Sequence, residues 1–327
     1  MTADFPAGFL VRPPEMDDLE AVHKLIEACD IADDGKPDIT LDELRTEWQG
    51  PNFDMENDAW MVSAPGGRVV GYADMGQREH TRIYALVRVL PEYVDRGIVE
   101  PLFDLSEQWA RQQIPRAKPE ARITLNHFAS SRNQKGQRLF EQLGMKEIRR
   151  HWRMEIELDE APPEPHWPEQ VFVRTFVPGR DERAVFDTDD EAFQDHWGHL
   201  PGNFEEWKHW TVERENFDPS LWFLAFDGVE MAGISLCTYQ LDSGWVETLA
   251  VRRPWRRKGL GMALLQHSFG EFYRRGTHKV GLGVDSQNLT GATRLYKRAG
   301  MHVARESIAF EKELRAGVEL STQAIEI

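Results

Sequence analysis

Leu249-Ala-Val-Arg-Arg-Pro-Trp-Arg-Arg-Lys-Gly-Leu-Gly-Met-Ala-Leu-Leu265 reads as a strand that runs through a basic turn into a helix. A helix that starts just after such a turn leaves backbone N–H groups without intrahelical partners, and its dipole favours an anion there. Gly259 and Gly261 let the backbone approach that anion with no Cβ in the way, and Arg256, Arg257 and Lys258 add positive charge beside it. The stretch predicts a pyrophosphate-binding turn. The alternative is a solvated basic loop that only opens a helix.

Working outward, residues 171–175 read as an opening strand, and the acidic run 181–195 carries apolar residues at helical spacing (Val185, Ala192, Phe193). Leu221 to Phe226, then Asp227-Gly228, then Glu230 to Cys237 predicts a hairpin, because Asp-Gly between two apolar runs is a strong turn signal. Further strands are predicted over 245–251 and 279–284. Helices are predicted over 259–275, with Leu260, Ala263, Leu264 and Phe272 on its apolar face, and over 288–299, stopped by Gly300. Strands grouped first and strand–helix alternation later give a mixed α/β (α+β) fold.

The chain contains this pattern twice. At an offset of 162, Val11-Arg12 matches Val173-Arg174, Trp48 matches Trp210, Trp60 matches Trp222, Gly71 matches Gly233, Gly97 matches Gly259 and Leu102 matches Leu264. The offset then shortens to about 156, which aligns Leu139-Phe140 with Leu295-Tyr296 and Gly144-Met145 with Gly300-Met301. A length of 327 residues suits two domains. The expected boundaries are residues 1–157, a Pro-rich acidic linker over 158–170, a second domain over 171–316 and a tail over 317–327.

Two motifs in the second copy carry a resemblance. Arg256-Arg-Lys-Gly259-Leu-Gly261 resembles the RxxGxG acetyl-CoA signature of the GCN5-related N-acetyltransferases (GNAT), placed as in that family between strand and helix. Asn288-Leu-Thr-Gly-Ala292-Thr-Arg294-Leu295-Tyr296-Lys-Arg-Ala-Gly300-Met301 resembles the family's NxxAxxLYxxxGF block, with Met301 in place of Phe. The resemblance implies two tandem domains, each with a mixed, mostly antiparallel central sheet flanked by helices, and acetyl-CoA as co-substrate. It also implies that Leu249, Ala250, Val251, Arg256, Arg257, Lys258, Gly259, Leu260, Gly261, Asn288 and Arg294 contact the cofactor. A strand bulge near Leu249 to Val251 would turn backbone N–H groups toward the thioester.

The resemblance places the Tyr296 hydroxyl close to the thioester sulfur, where a phenol can serve as general acid for the departing thiolate. The alternative is a core aromatic with its hydroxyl satisfied. Attack by an amine needs a neutral nitrogen, and Glu247, on the strand leading to the cofactor turn, is the expected base, acting directly or through water. Its alternative is a surface-facing strand residue.

The first copy keeps the scaffold without this chemistry. Val94, Asp95 and Val99 stand where the second copy has Arg256, Arg257 and Gly261; Ala85 replaces Glu247, and Phe140 replaces Tyr296. Residues 1–157 are therefore expected to be non-catalytic, while Gly97 and Asn133 leave weak CoA binding open.

Charge sharpens the reading. Residues 161–250 hold 5 Lys and Arg against 18 Asp and Glu, and residues 251–327 hold 14 against 7, so a cation-attracting segment precedes an anion-attracting one. Acids and aromatics over 181–210 suit a cationic small-molecule amine acceptor. The overall net charge of −16 argues against nucleic acid. No run of 18 apolar residues offers a membrane span, and the acidic N-terminus does not resemble a signal peptide, so a cytoplasmic protein is expected. Cys29 and Cys237 read as buried small hydrophobes, and the histidines lack metal-ligand spacing, so no metal is expected. The competing functions are a protein or peptide N-acetyltransferase and a non-catalytic CoA sensor, the latter disfavoured by the pair Glu247 and Tyr296.

Overall fold

The computed structural model describes residues 3–288 and 290–323. They fall into two compact units, Met1–Arg149 with Ser307–Leu320 and Arg150–Glu306 with Ser321–Ile327. In the first unit the order is β1 (Leu10–Arg12), α1 (Leu19–Asp34), α2 (Leu41–Trp48), α3 (Met55–Asp58), β2 (Ala59–Ser63), β3 (Val69–Arg78), β4 (Arg82–Val89), α4 (Val99–Gln113), β5 (Ile123–Ser130) and α5 (Gln134–Gln142). Strands β1 to β5 lie in chain order, antiparallel except for the β4–β5 pair.

After β6 (Lys146–Glu157) the second copy repeats the plan. It comprises β7 (Val171–Thr175), α6 (Glu182–Phe193), α7 (Phe204–Trp210), β8 (Trp222–Asp227), β9 (Glu230–Gln240), β10 (Ser243–Val251), α8 (Leu260–Arg274), β11 (Lys279–Asp285), α9 (Ala292–Arg298) and β12 (His302–Arg315). The predicted hairpin forms, with Asp227 opposite Glu230 across Gly228 and Val229. Gly228 has φ 60°, the left-handed conformation that glycine adopts without penalty. Here too every pairing is antiparallel except β10–β11.

The expected domain boundaries need correcting at both ends. Residues His151–Glu157 of β6 pair with Asp285–Lys279 of β11, so the end of the first sequence copy completes the second unit. Residues Ser307–Arg315 of β12 pair with Ser130–Ile123 of β5, so the end of the second copy completes the first. The two copies trade their last strands. Equivalent strands in a repeat have equivalent patterns, and nothing in those patterns says which sheet edge each one joins.

Each unit has its own apolar core. In the second, one face of the sheet packs on α8 through Leu260, Leu264, Phe269 and Phe272 with Val246, Val280 and Leu282. The other face packs on α6 through Val185 and Ala192 with Trp222, Leu224, Ile234, Leu236 and Ala250. The last helix is shorter than its predicted span of 288–299. It starts at Ala292 after Gly291 at φ 88°, and Asn288 instead forms a turn that accepts from the backbone N–H of Thr290 at 2.9 Å. Leu289, inside that span, lies outside the described residues. No helix among the described residues is long and apolar enough to cross a membrane.

Candidate functional site

Between β10 and α8 the backbone makes the turn that the sequence predicts. Arg257 is left-handed at φ 63° and Gly259, the N-cap of α8, at φ 90°. A left-handed non-glycine residue costs about 1–2 kcal/mol, so the turn is held by its surroundings. Arg257, Lys258 and Gly259 are exposed, and a Cβ on Gly259 would meet nothing within 4 Å, so the backbone here faces open space. Leu260 anchors the far side in the core at 1% exposure. At Gly261 the fit is closer: a Cβ there would lie 3.2 Å from Leu295 Cδ1 in α9, tight enough that the leucine would have to give way. Successive unpaired N–H groups ahead of a helix, with two exposed cations, make a concave anion site.

Arg256 does not join them. Its Nε donates to the Val251 carbonyl at 2.9 Å, Nη1 to Asp195 at 2.5 Å and Nη2 to the Ala192 carbonyl at 2.9 Å. The side chain expected on the phosphates instead braces the C-terminal end of α6 against the cofactor turn. Arg253 donates to both oxygens of Asp195 as well, and these two arginines hold the Asp195 carboxyl down at about 2.

Strand β10 is irregular where the chemistry is expected. Its pairing with β9 slips between Val246 and Thr248, a bulge centred on Glu247 and two residues earlier than the sequence reading placed it. Its parallel pairing with β11 is confined to Gly244↔Val280 and Trp245↔Gly281. Beyond Trp245 the two strands part, leaving the backbone of Glu247 to Val251 without a ladder partner on that side. Leu249 and Val251 are half-buried beside the α8 core, and Ala250 is buried against the α6 face.

Tyr296, in α9, is 7% exposed, and burial raises its phenol to about 12. Its hydroxyl has no protein hydrogen-bond partner among the described residues. Asn288 Oδ1 is engaged by Thr290 and, at 3.4 Å, by the Ala292 N–H, while Arg294 is exposed.

The acceptor side collects carboxylates. Glu247 is held by Arg214, which follows α7, through two bonds: Nη2 to Oε2 at 2.5 Å and Nη1 to Oε1 at 3.2 Å. The guanidinium is 13% exposed and the Glu247 side chain 34%, so this is a bidentate pair with its carboxylate open to solvent. Asp189, one turn after Val185 on the inward stripe of α6, receives a hydrogen bond from Trp207; burial, Asp190 and Glu247 together raise its carboxyl to about 7. Asp190 meets His199 at 3.6 Å. His196, whose ring lies tilted against Phe193, is held down at about 4 by burial and by Arg256, and is neutral near pH 7. Cys237 is buried with its thiol pushed up to about 11, the small hydrophobe that the sequence reading expected.

Comparison with known proteins decides what this arrangement belongs to. The model of the acetyltransferase (GNAT) family matches residues 19–145 and again 183–301. The chain belongs to the GNAT family. A mycothiol acetyltransferase of Thermobispora bispora is 34% identical over 177 residues, half of this chain and 57% of that protein. A mycothiol acetyltransferase of Geodermatophilus obscurus is 30% identical over 86% of this chain and 89% of its own length. A crystal structure of a GCN5-related N-acetyltransferase from Sphaerobacter thermophilus is 38% identical, covers 98% of this chain and all of that one, and superposes with a TM-score of 0.83. This chain is thus a tandem GNAT protein that resembles mycothiol synthase, and an acyl-CoA N-acetyltransferase by family.

Acetyl-CoA is the acyl donor of the GNAT family. In the second unit an exposed turn with open space at Gly259 precedes α8, and the strand leading to it is bulged at Glu247. The first GNAT unit shares the exposed left-handed glycine, at Gly97, and the parting of β4 from β5 after Tyr84, and differs at the bulge. Strand β4 pairs with β3 from Arg82 to Val89 with no register shift, so the bulge is missing. Asn126 Nδ2 donates to the Ile83 carbonyl at 3.0 Å where β4 and β5 begin to part. Phe140 packs with Phe103, His127 and Phe310.

Arg214, Asp195 and Asp189 were not singled out by the sequence reading. Arg214 and Asp195 meet partners 33 and 61 residues away, for which no local spacing gives a signal. Asp189 had one, as the single acid on the Val185, Ala192, Phe193 stripe.

Proposed function

We propose that the second unit transfers the acetyl group of acetyl-CoA to a primary amine of a small cationic molecule by direct attack. One observation carries the reading: the bulge and splay of β10 lie on the strand that leads into the exposed glycine turn, with the unpartnered phenol of Tyr296 in the neighbouring α9. Arg257, Lys258 and the N–H groups from Gly259 to Gly261 would hold the pyrophosphate, with Asn288 and Arg294 along the arm of the cofactor. The N–H groups of Leu249 to Val251, freed from β11, would face the pantetheine amides and the thioester carbonyl.

The ammonium first loses one proton, which is the net proton released; the neutral amine then attacks the carbonyl carbon, the tetrahedral species collapses and the C–S bond breaks, and the second nitrogen proton ends on sulfur to give the amide and CoA thiol. Tyr296 supplies the sulfur with a hydrogen bond. A phenol near 12 keeps its proton at every working pH. Full transfer to a thiolate whose conjugate acid is about 8.5 is uphill, so donation in the transition state is its main contribution. Glu247 faces the amine from the bulge. Both its oxygens are engaged by Arg214, which alters the part expected for it: as a base it can work only through water or after that bridge opens.

The acids of α6 and the aromatics of α7 favour a cation, and relatives named mycothiol acetyltransferase favour a small molecule over a protein. The test incubates the protein and acetyl-CoA with amino sugars, their cysteinyl derivatives, polyamines and short peptides, and follows acetylated product by mass spectrometry. Acetylation confined to peptides would replace the small-amine reading, and CoA binding without any product would leave a sensor.

A further inference from the structure

The bidentate Arg214–Glu247 pair raises the question of where the ammonium proton goes. A carboxylate with both oxygens held by a guanidinium has the lone pairs that face that partner already engaged. A second carboxylate, Asp189, lies near enough to Glu247 to feel its charge. Asp189 sits four residues after Val185 and three before Ala192, and both of those residues pack against Trp222, Leu224, Ile234, Leu236 and Ala250. Helical spacing therefore points Asp189 at the sheet face that carries the bulge, and the Asp195–Arg256 brace fixes α6 in that register.

Asp189 differs from Glu247 in having no cationic partner among the described residues. Its surroundings are Asp190 on its own helix, which is tied to His199, the Trp207 indole N–H from α7, and Glu247 from β10, whose charge is shared with Arg214. One donor leaves lone pairs free on the carboxylate.

We propose that Asp189 is the proton acceptor for the amine and that the Glu247–Arg214 pair is a fixed electrostatic seat beside it. The inference rests on the acetyl-transfer reading above. The ammonium R–NH3+ gives one proton to the Asp189 carboxylate, and the amine lone pair then attacks the thioester. The second proton leaves nitrogen as the C–S bond breaks and ends on the sulfur, while Asp189 returns its proton to water. A carboxyl near 7 is matched to this task, since it is ionised often enough to accept and basic enough to take the proton. The same burial makes Asp189 a liability to the fold. Its folded-state value lies above the unfolded one, so it subtracts stability increasingly as pH rises from about 4 to 7.

The experiment uses the full chain and the most active amine of the panel, with wild type, Asp189→Asn, Asp189→Glu and Glu247→Gln compared across about pH 5 to 9. Asp189→Asn is expected to lower kcat/KM by about 10²–10⁴-fold and to abolish the acid limb of its pH profile. Acetyl-CoA affinity should be unchanged by calorimetry, and Tm at pH 8 equal or higher. Asp189→Glu should recover an acid limb at a shifted pH, and Glu247→Gln should raise KM while keeping the limb. An Asp189→Asn enzyme that keeps the wild-type limb, or one that is inactive because its Tm has fallen, overturns the proposal. Failure of the acetyl-transfer reading looks different: wild type itself then acetylates no amine.

Discussion

The two cofactor turns of this chain are an internal experiment on what the fold needs and what the chemistry needs. Gly97 and Gly259 are both left-handed, at φ 73° and 90°, and each leads into a 15-residue helix. The glycine at the turn belongs to the scaffold. What separates the copies comes next: Val99 is buried at 8% exposure in the first turn of α4, where α8 has Gly261. Likewise β4 runs straight where β10 bulges, and Phe140 fills an aromatic cluster where Tyr296 keeps an unpartnered hydroxyl. Glycine, bulge and phenol differ together, which is the pattern of one function lost or gained as a unit on a fold that tolerates either state.

The contrast can be broken most severely at the phenol. Tyr296→Phe makes the second unit match the first at this position, and kcat is expected to fall about 10²–10⁴-fold with acetyl-CoA affinity retained, read by steady-state kinetics and calorimetry. A fall confined to affinity would make Tyr296 a packing residue like Phe140.

The brace between α6 and the cofactor turn gives the next largest effect. Asp195 titrates at about 2 in the folded chain against 3.8 unfolded, so its contribution is complete above pH 4 and disappears as pH falls toward 2. The difference is worth about 2 kcal/mol. Asp195→Asn should flatten that part of the stability profile in denaturant titrations at pH 2 to 5, and an unchanged profile would remove the brace from the account.

Phe140→Tyr, the reverse exchange, adds a hydroxyl among Phe103, His127 and Phe310. The cluster is already packed, so the added oxygen should lower Tm, and no activity should appear in the first unit. Smallest in its effect on function, Val99→Gly in α4 should lower Tm, through the loss of a buried side chain more than through helix propensity, and leave acetyl-CoA stoichiometry as it was, because β4 still has no bulge. A second binding site in this variant would mean that the glycine alone decides.

How far the sequence carries depends on the range of the interaction involved. The hairpin at Asp227-Gly228, the strand–turn–helix from Leu249 and the degeneracy of the first copy all rest on neighbouring residues, and each was legible before the structure. Helix α9 began four residues later than read because Asn288 spends its side-chain oxygen on Thr290, a local competition that the motif hides. The traded strands β6 and β12 and the pairing of Arg214 with Glu247 depend on tertiary placement. The last of these matters most for function, since a motif can name a carboxylate and still be silent about the guanidinium that holds it.

If the glycine turn and bulge of the second unit make the working site, the chain binds one acetyl-CoA, and binds it there. Calorimetric titration of the full chain with acetyl-CoA, beside the double variant Gly259→Val, Gly261→Val that copies a branched side chain into the working turn, tests it directly. One site per chain is expected in the wild type and no binding heat in the variant. Two sites, or a single site that survives the double substitution, would contradict it.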